Sequence, residues 1–542
     1  MKLDPITFEV VNNALVGAAE QMAATILRTS YSTVIREMLD YSTAVFDLEG
    51  RIIAQSCRIP IHLNSMSRSL RTTLTEVFPI DSWSPGDIIV TNDPYKGGQH
   101  LPDVQTFLPV FAGTELVAIC GTLGHHLDVG GMRPGSYAGD ATEIYQEGLR
   151  LPPIKLFEKG ILNERLFAVI EANIRQPETT IGDLRAQTAA LEIGRDRLLE
   201  LVEHYGADTI RACMVQATAA SEARLKDKLR ELPNGTCAAT YFIDDDGVGE
   251  DPIKIVTTIT IDDDSIHVDL TGTDPQTRSP INATISSCES AIYFAILSIL
   301  DPTIPANYGV YRPIKITAPE GTVVNAMLPA PVVGRNAITH TIVNAMMKAL
   351  SEVVPERITA AYYGMSNVYI LAGEGGEDRK DWIFFDIEVG GGGGRQEKDG
   401  LDCYSQGIHN LANTPILVRI SEIQGGLIKR VMDVGADGIV VPYVRSAAEV
   451  AEAVGYAKYP PEGVRGIGAE RSTRWGQGIL QCVPRANKNS LVWVMMETVE
   501  AGDRIDQILD VPGVDAVFFG LHDYSATSGF PGTADQAPVM KR

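Results

Sequence analysis

At 542 residues the chain is too long for one ordinary hydrophobic core, and its size alone predicts roughly two to four domains. Its 44% hydrophobic and 21% charged residues, with a mean hydropathy of +0.01, are those of a soluble globular protein and exclude a disordered or fibrous one. A formal charge of -23 and a pI near 4.8 argue against nucleic acid or anionic membrane as a partner, since both need clustered Lys and Arg; small molecules and other proteins remain.

At the N-terminus, Asp4 and Pro5 interrupt the apolar stretch a secretory signal would need, so a cytoplasmic protein is expected. Phe8, Val11, Leu15, Ala19, Met22 and Ile26 keep a helical spacing and predict a helix over about 7–30. Residues 41–46 and 51–54, joined by the turn Asp47-Leu48-Glu49-Gly50, read as a hairpin, and 86–91 as a short strand running into polar, Gly-rich residues. Residues 183–232 are helical in pattern, and 236–274 alternate in β fashion around two Asp-rich turns. The organisation is α+β. The apolar run 291–300 is too short to cross a bilayer and is bounded by Asp301-Pro302, which makes it a buried helix. Seven cysteines, odd in number and without a Cys-x-x-Cys pair, fit free thiols in a reducing cytosol, with no disulfide and no cysteine-ligated zinc.

Asp244-Asp245-Asp246 and Asp262-Asp263-Asp264 lack the alternating ligands and closing Glu of an EF-hand and read as solvated hairpin turns. Gly390 to Gly394, followed by Arg395, lacks the Gly-Lys-Ser/Thr ending of a phosphate loop and reads as a loop near a site. No other stretch carries a nucleotide fingerprint, so a reaction that uses ATP would need another subunit to handle it.

The chemistry concentrates in 92–148. Asn92-Asp93-Pro94-Tyr95 leads to His100 and Asp103, then come Gly124-His125-His126-Leu127-Asp128-Val129-Gly130-Gly131 and Gln146-Glu147-Gly148. The spacing His-x-x-Asp occurs twice, at His100/Asp103 and His125/Asp128, and in a tight turn it lets an imidazole and a carboxylate converge on one ion. Mixed nitrogen and oxygen donors suit Zn, Mn or Fe. A carboxylate left over would hold a ligating imidazole in its tautomer. Hydrogen-bonded polar groups in a core would produce the same residues, so this stretch by itself leaves both readings open.

Read together, these motifs resemble the hydantoinase B/oxoprolinase family. The resemblance extends through 37–47, 146–153, Asn173 to Pro177, Gly182 to Gln187 and Asn413-Thr414-Pro415, so it covers 1–415, a region itself multidomain. It implies a metal bound by Asp40, His100, Asp103 and His125, with His126 a neighbour outside the ligand set. It also implies a hydantoinase A-type partner, in a hetero-oligomer, that uses ATP to phosphorylate the substrate's carbonyl oxygen. A water activated by the ion would then attack that carbon and open a hydantoin, oxoproline or lactam ring, with Asp128 or Glu147 as general base. Carboxylase relatives share the ligand pattern, so carboxylation of the acetone or acetophenone type is the alternative reaction.

From 416 the sequence changes character: short β runs at 417–420, 438–441, 491–496 and 514–519 alternate with helical ones. Residues 416–535 are similar to the HpcH/HpaI class II aldolases, metal-dependent lyases of 4-hydroxy-2-oxo acids, and 536–542 form a tail. The resemblance implies an Arg, a metal-binding Glu and a metal-binding Asp at the ends of three successive barrel strands, matched by Arg419, Glu497 and Asp523, with Mg or Mn as the ion. The first two strands of that family, the His after the second, and the last two strands have no counterpart. The expectation is an incomplete, half β/α TIM barrel without aldolase activity, following an α+β hydantoinase B-like region.

Overall fold

The computed structural model of the chain describes residues 3–249, 251–358, 366–373, 382–389, 417–420, 422–433, 436–468 and 479–530. The chain divides into two compact units, Met1–Gly392 and Gly393–Arg542. The glycine run 390–394 and the joint expected at 415/416 lie outside the described residues.

The first unit opens with α1 (Pro5–Thr29), and Asp4 is its cap: the carboxylate accepts the N–H groups of Ile6 and Thr7 at 3.1 and 3.0 Å. The short α2 (Thr33–Arg36) leads into β1 (Tyr41–Phe46) and β2 (Ile52–Cys57), the expected hairpin. Then come α3 (Ser65–Thr72), β3 (Ile88–Thr91), β4 (Asp103–Ala112), β5 (Glu115–His125), β6 (Ile154–Glu158) and β7 (Ile161–Leu162). They form one antiparallel sheet in the order β2-β1-β5-β4-β3-β6-β7. After α4 (Glu164–Asn173), the helical stretch read from the sequence is two helices, α5 (Pro177–Tyr205) and α6 (Ala207–Arg230), parted at Gly206.

Both faces of this sheet are covered. Val11, Leu15, Met22 and Ile26 of α1 pack with Tyr41, Val45 and Cys120 on one side. On the other, Phe46, Phe107, Ile119 and Leu123 pack with Met66, Leu70 and Trp83. For that reason β1 is buried at every position rather than at alternate ones. Its polar residues are satisfied locally, Thr43 donating to the Ala19 carbonyl at 2.7 Å and Ser42 lying 2.9 Å from His62 Nδ1.

A second sheet, ordered β11-β10-β9-β8, is built from β8 (Gly235–Ile243), β9 (Ile253–Asp262), β10 (Ser265–Asp269) and β11 (Ile314–Thr317). In β9 the side chains alternate as the sequence reading requires, Ile253, Ile255, Thr257, Ile259 and Ile261 facing inward. The inward face packs against α7 (Ile285–Leu300), the buried apolar helix, and α9 (Asn336–Leu350), with the single turn α8 (Tyr308–Tyr311) between them. The two Asp clusters fall in the turns after β8 and β9, where Asp245 and Asp246 accept from nearby backbone N–H groups. A hairpin of β12 (Ser366–Gly373) and β13 (Trp382–Val389) completes the described part of the unit.

The second unit holds β14 (Leu417–Arg419), β15 (Gly438–Val441), β16 (Leu491–Met496) and β17 (Ala516–Phe519), all parallel and in sequence order. Helices Gly425–Asp433, Ala447–Ala457 and Ile479–Asn489 connect the strands, and Ile428, Val431, Val450, Ile439, Val441, Val492 and Val494 make the core. This is a β/α segment with one four-stranded parallel sheet among the described residues. No helix among the described residues is long and apolar enough to cross a membrane.

Two glycines test the packing in opposite directions. Gly97 has φ +103°, and a Cβ there would stand 2.6 Å from the Ser69 nitrogen, in the backbone of α3. Gly97→Ala should therefore lower stability by roughly 2–4 kcal/mol, combining a left-handed alanine with an immovable contact. Gly17, within α1, has nothing near its Cβ position; Gly17→Ala should raise stability by about 0.5–1 kcal/mol. Denaturant melts of the two variants beside the parent check both signs.

Candidate metal centre

Strand register assembles the site. Asp103, the first residue of β4, is the cross-strand partner of His125, the last of β5. β1 flanks β5 on its other side, and the His125 N–H donates to the carbonyl of Asp40, just ahead of β1, at 3.0 Å. Three adjacent strands thus deliver Asp40, His125 and Asp103 to one end of the sheet. His100 arrives through the turn before β4, where the Asp103 N–H donates to the His100 carbonyl at 3.2 Å. The first His-x-x-Asp spacing therefore converges as expected, with His100 Nε2 3.1 Å from Asp103 Oδ1.

Ligand atoms of His100, Asp103 and His125 lie within 4.8 Å of one another, and all three residues are buried. Asp40 joins through Oδ2, 3.2 Å from His125 Nδ1. Both ring nitrogens of His100 and Oδ1 of Asp103 are buried without a hydrogen-bond partner among the described residues. His100 and Asp103 therefore face each other closely, and with His125 their donor atoms are near enough to meet on a third atom. These residues fit a divalent ion with mixed nitrogen and oxygen ligands.

Charge states agree with that fit. Burial, reinforced by the Arg335 guanidinium, brings the His100 imidazole down to about 3, so it is neutral at pH 7. Burial works against ionisation of Asp103, but the His100 ring and Arg335, whose Nη2 is 3.2 Å from Oδ2, outweigh it and hold the carboxyl well below its ordinary range. Asp40 is likewise lowered in spite of its burial, by His125 and then His62. Neutral imidazoles and ionised carboxylates are the ligand forms.

Other candidates are placed differently. The second His-x-x-Asp does not converge: Asp128 turns away, its Oδ1 accepting from the Gly130 and Arg175 N–H groups and its Oδ2 from the Gly135 N–H and Arg175 Nη1, all at 2.9–3.0 Å. It holds the glycine loop in shape. Glu147 is buried, with Oε1 taken by the Val332 and Val333 N–H groups at 2.8 and 2.9 Å and Oε2 without a partner among the described residues. Burial pushes it up to about 8, against the pull of those two N–H groups. His126 points to α5, with Nε2 2.9 Å from Gln187 Oε1.

Two residues at the site were not anticipated. His62 follows β2, with Nε2 3.3 Å from Asp40 Oδ1, and with Asp40 and Asp103 it forms a second group whose ligand atoms lie within 4.8 Å. Arg335 reaches Asp103 from the start of α9. Each carried a signal in the sequence: an imidazole between Ile61 and Leu63, and a charge directly after Val332-Val333-Gly334.

In the second unit, Arg419 ends β14, Glu497 follows β16 and Asp523 lies beyond β17, in the helix Leu521–Thr527. The strands are not successive, since β15 stands between β14 and β16. Tyr443, after β15 and at φ +53°, ties the group together: its N–H donates to Glu497 Oε2 and its hydroxyl to Asp523 Oδ1, both at 2.9 Å. Arg419 Nη2 is 3.5 Å from Glu497 Oε1.

Comparison with known proteins matches residues 4–431 to the family model "Hydantoinase B/oxoprolinase" and residues 366–541 to "HpcH/HpaI aldolase/citrate lyase". The B-type subunit of the putative D-/L-hydantoinase of Pseudomonas sp. (strain NS671) is 37% identical over 430 residues, covering 77% of this chain and 72% of that protein. The beta subunit of the caprolactamase of Pseudomonas jessenii is 34% identical over 402 residues, covering 73% of this chain and 69% of that protein. The crystal structure of the ATP-dependent caprolactamase from Pseudomonas jessenii superposes with a TM-score of 0.64 at 32% identity, over 71% of this chain and 66% of that one. The chain belongs to the hydantoinase B/oxoprolinase family, and an HpcH/HpaI aldolase-like region follows.

Proposed function

We propose that the first unit is the metal-dependent subunit of an ATP-dependent hydrolase that opens the ring amide of a small cyclic substrate. The observation that carries this reading is the buried set His100, Asp103 and His125, whose ligand atoms lie within 4.8 Å of one another, with Asp40 against His125. A Zn, Mn or Fe ion held there supplies Lewis acidity to a carbonyl and to water. Asp40 and Asp103 bring the negative charge that holds the ion, and His100 and His125 bring nitrogen donors. Proton transfer falls to Glu147: its Oε2 has no competing donor among the described residues, and a carboxyl balanced near neutral pH both takes and returns a proton. Asp128, with four donors on its two oxygens, is assigned the loop and not the proton.

ATP use is assigned to a hydantoinase A-type partner in a hetero-oligomer. Two relatives that are each named as one subunit of an enzyme, and the caprolactamase described as ATP-dependent, support this. Those same names favour hydrolysis over carboxylation. The second unit is read as part of a β/α barrel without turnover of its own, because Tyr443 already occupies both Glu497 and Asp523.

Elemental analysis tests the metal. His100→Ala, Asp103→Ala and His125→Ala should each lose most of the Zn, Mn or Fe that the parent retains, since each removes roughly several kcal/mol of binding. His126→Ala should keep it and lose only about 1 kcal/mol of stability with the Gln187 contact. A parent chain that cannot take up any of the three metals overturns the reading.

For Glu147, a folded value near 8 against an ordinary 4.5 means that folding takes up a proton between those pH values. The stability this group contributes is whole below pH 4.5 and is lost as pH rises towards 8. Glu147→Gln keeps an acceptor for the Val332 and Val333 N–H groups but cannot ionise. In chelator-treated protein, urea melts from pH 5 to 9 should show the variant gaining on the parent as pH rises, whereas parallel profiles would mean that Glu147 is ionised throughout.

The division of labour predicts that the purified chain alone does not turn over ATP and that ring opening appears when the partner and ATP are added. Robust phosphate release by the chain alone would remove the need for a partner.

A further inference from the structure

Arg335 is, among the described residues of the first unit, the arginine buried as deeply as the core, at 4% exposure. It stands at the cap position of the 15-residue helix α9 and makes no side-chain cap bond there. Its Nη2 donates to Asp103 Oδ2 at 3.2 Å, and its Nε is buried with no acceptor among the described residues. A guanidinium carries five N–H donors in a planar fork, and holding it out of water with those donors unfilled is costly. The nearby groups do not fill them. Asp103 Oδ1 faces His100, and Glu147 gives its Oε1 to Val332 and Val333. What remains is a buried cation whose Nε is unfilled, beside Asp103 and with its backbone at the cap of a helix. A planar or tetrahedral oxyanion completes such an arrangement by accepting the fork side-on.

We propose that Arg335, with the first turn of α9, forms an oxyanion subsite next to the metal centre that receives a carboxylate or phosphate group of the bound substrate. The proposal rests on the metal reading above. The carboxylate would belong to the substrate itself, and the phosphate to its carbonyl oxygen after activation by ATP. In either case the subsite restricts turnover to molecules that carry an oxyanion when they reach the metal, and Arg335 sets that restriction. Lysine would keep the charge but lose the fork.

The test uses the full chain loaded with Mn, its metal content measured in every sample, and titrates inorganic phosphate and acetate separately by calorimetry and by paramagnetic broadening of their resonances. The parent should bind at least one of the two close to the ion. Arg335→Gln should weaken that binding by about 10- to 100-fold, the loss of a charged hydrogen-bonding pair, with Arg335→Lys in between. Dependence on Arg335 for phosphate alone identifies the activated phosphoryl group, and for acetate alone the substrate's own carboxylate; either supports the subsite. Equal anion binding by parent and Arg335→Gln at equal metal content, or broadening of neither anion, overturns the subsite and leaves the metal reading intact. A parent without metal overturns both.

Discussion

The pairing of Asp103 with His125 across β4 and β5, and the hydrogen bond from the His125 N–H to the Asp40 carbonyl, are the contacts on which the site depends. They are backbone facts. In an antiparallel sheet, the start of one strand and the end of its neighbour share an edge, so residues far apart in the chain meet without any loop having to be long or precise. The register cannot slip, because a shift of one residue would turn Phe46, Phe107 and Ile119 out of one core and Tyr41, Val45 and Cys120 out of the other. Hydrophobic packing on both faces therefore fixes where these side chains stand.

Such a site is expensive to fold. Two carboxylates, three imidazoles and a guanidinium are buried together, and both ring nitrogens of His100, Oδ1 of Asp103 and Nε of Arg335 are without a hydrogen bond among the described residues. Natural cores satisfy their polar groups, so a cluster of exceptions is unusual in one. The buried carboxyls show how the surroundings assign roles. Asp103, beside His100 and Arg335, is driven towards the ionised form, while for Glu147 burial outweighs the pull of two backbone N–H groups and of Arg335 and drives it the other way. Asp128 is just as buried but fully supplied with donors, which suits it to hold a loop. The same carboxyl chemistry thus takes different charge and bonding states according to what each group touches.

The second unit follows different physics. Its two central strands, β15 and β16, are the apolar and buried ones, packed with the connecting helices, and its polar groups gather past the strand ends. Tyr443 links Glu497 and Asp523 there, and its left-handed backbone is what lets its N–H and its hydroxyl address two different carboxylates. The two family matches overlap over 366–431, so this region is where the resemblance changes from one family to the other.

Local pattern was enough to place α1, the β1–β2 hairpin, the alternating β9 and the apolar α7, because helical and strand periods are written in consecutive residues. It also singled out His100, Asp103, His125 and Asp128, since a polar, Gly-rich stretch between strands is visible without knowing what it packs against, whereas Asp40 entered only through the family resemblance. The break at Gly206, which parts α5 from α6, was hidden by the continuous polarity pattern around it. Which of the two His-x-x-Asp spacings converges was decided by tertiary structure: Asp103 begins a strand paired with His125, whereas Asp128 enters a loop whose N–H groups and Arg175 claim both of its oxygens. His62 and Arg335 belong to the site only because separate elements, the turn after β2 and the start of α9, are packed against the same strand ends. Proximity of that kind depends on how layers stack, and no spacing along the chain encodes it.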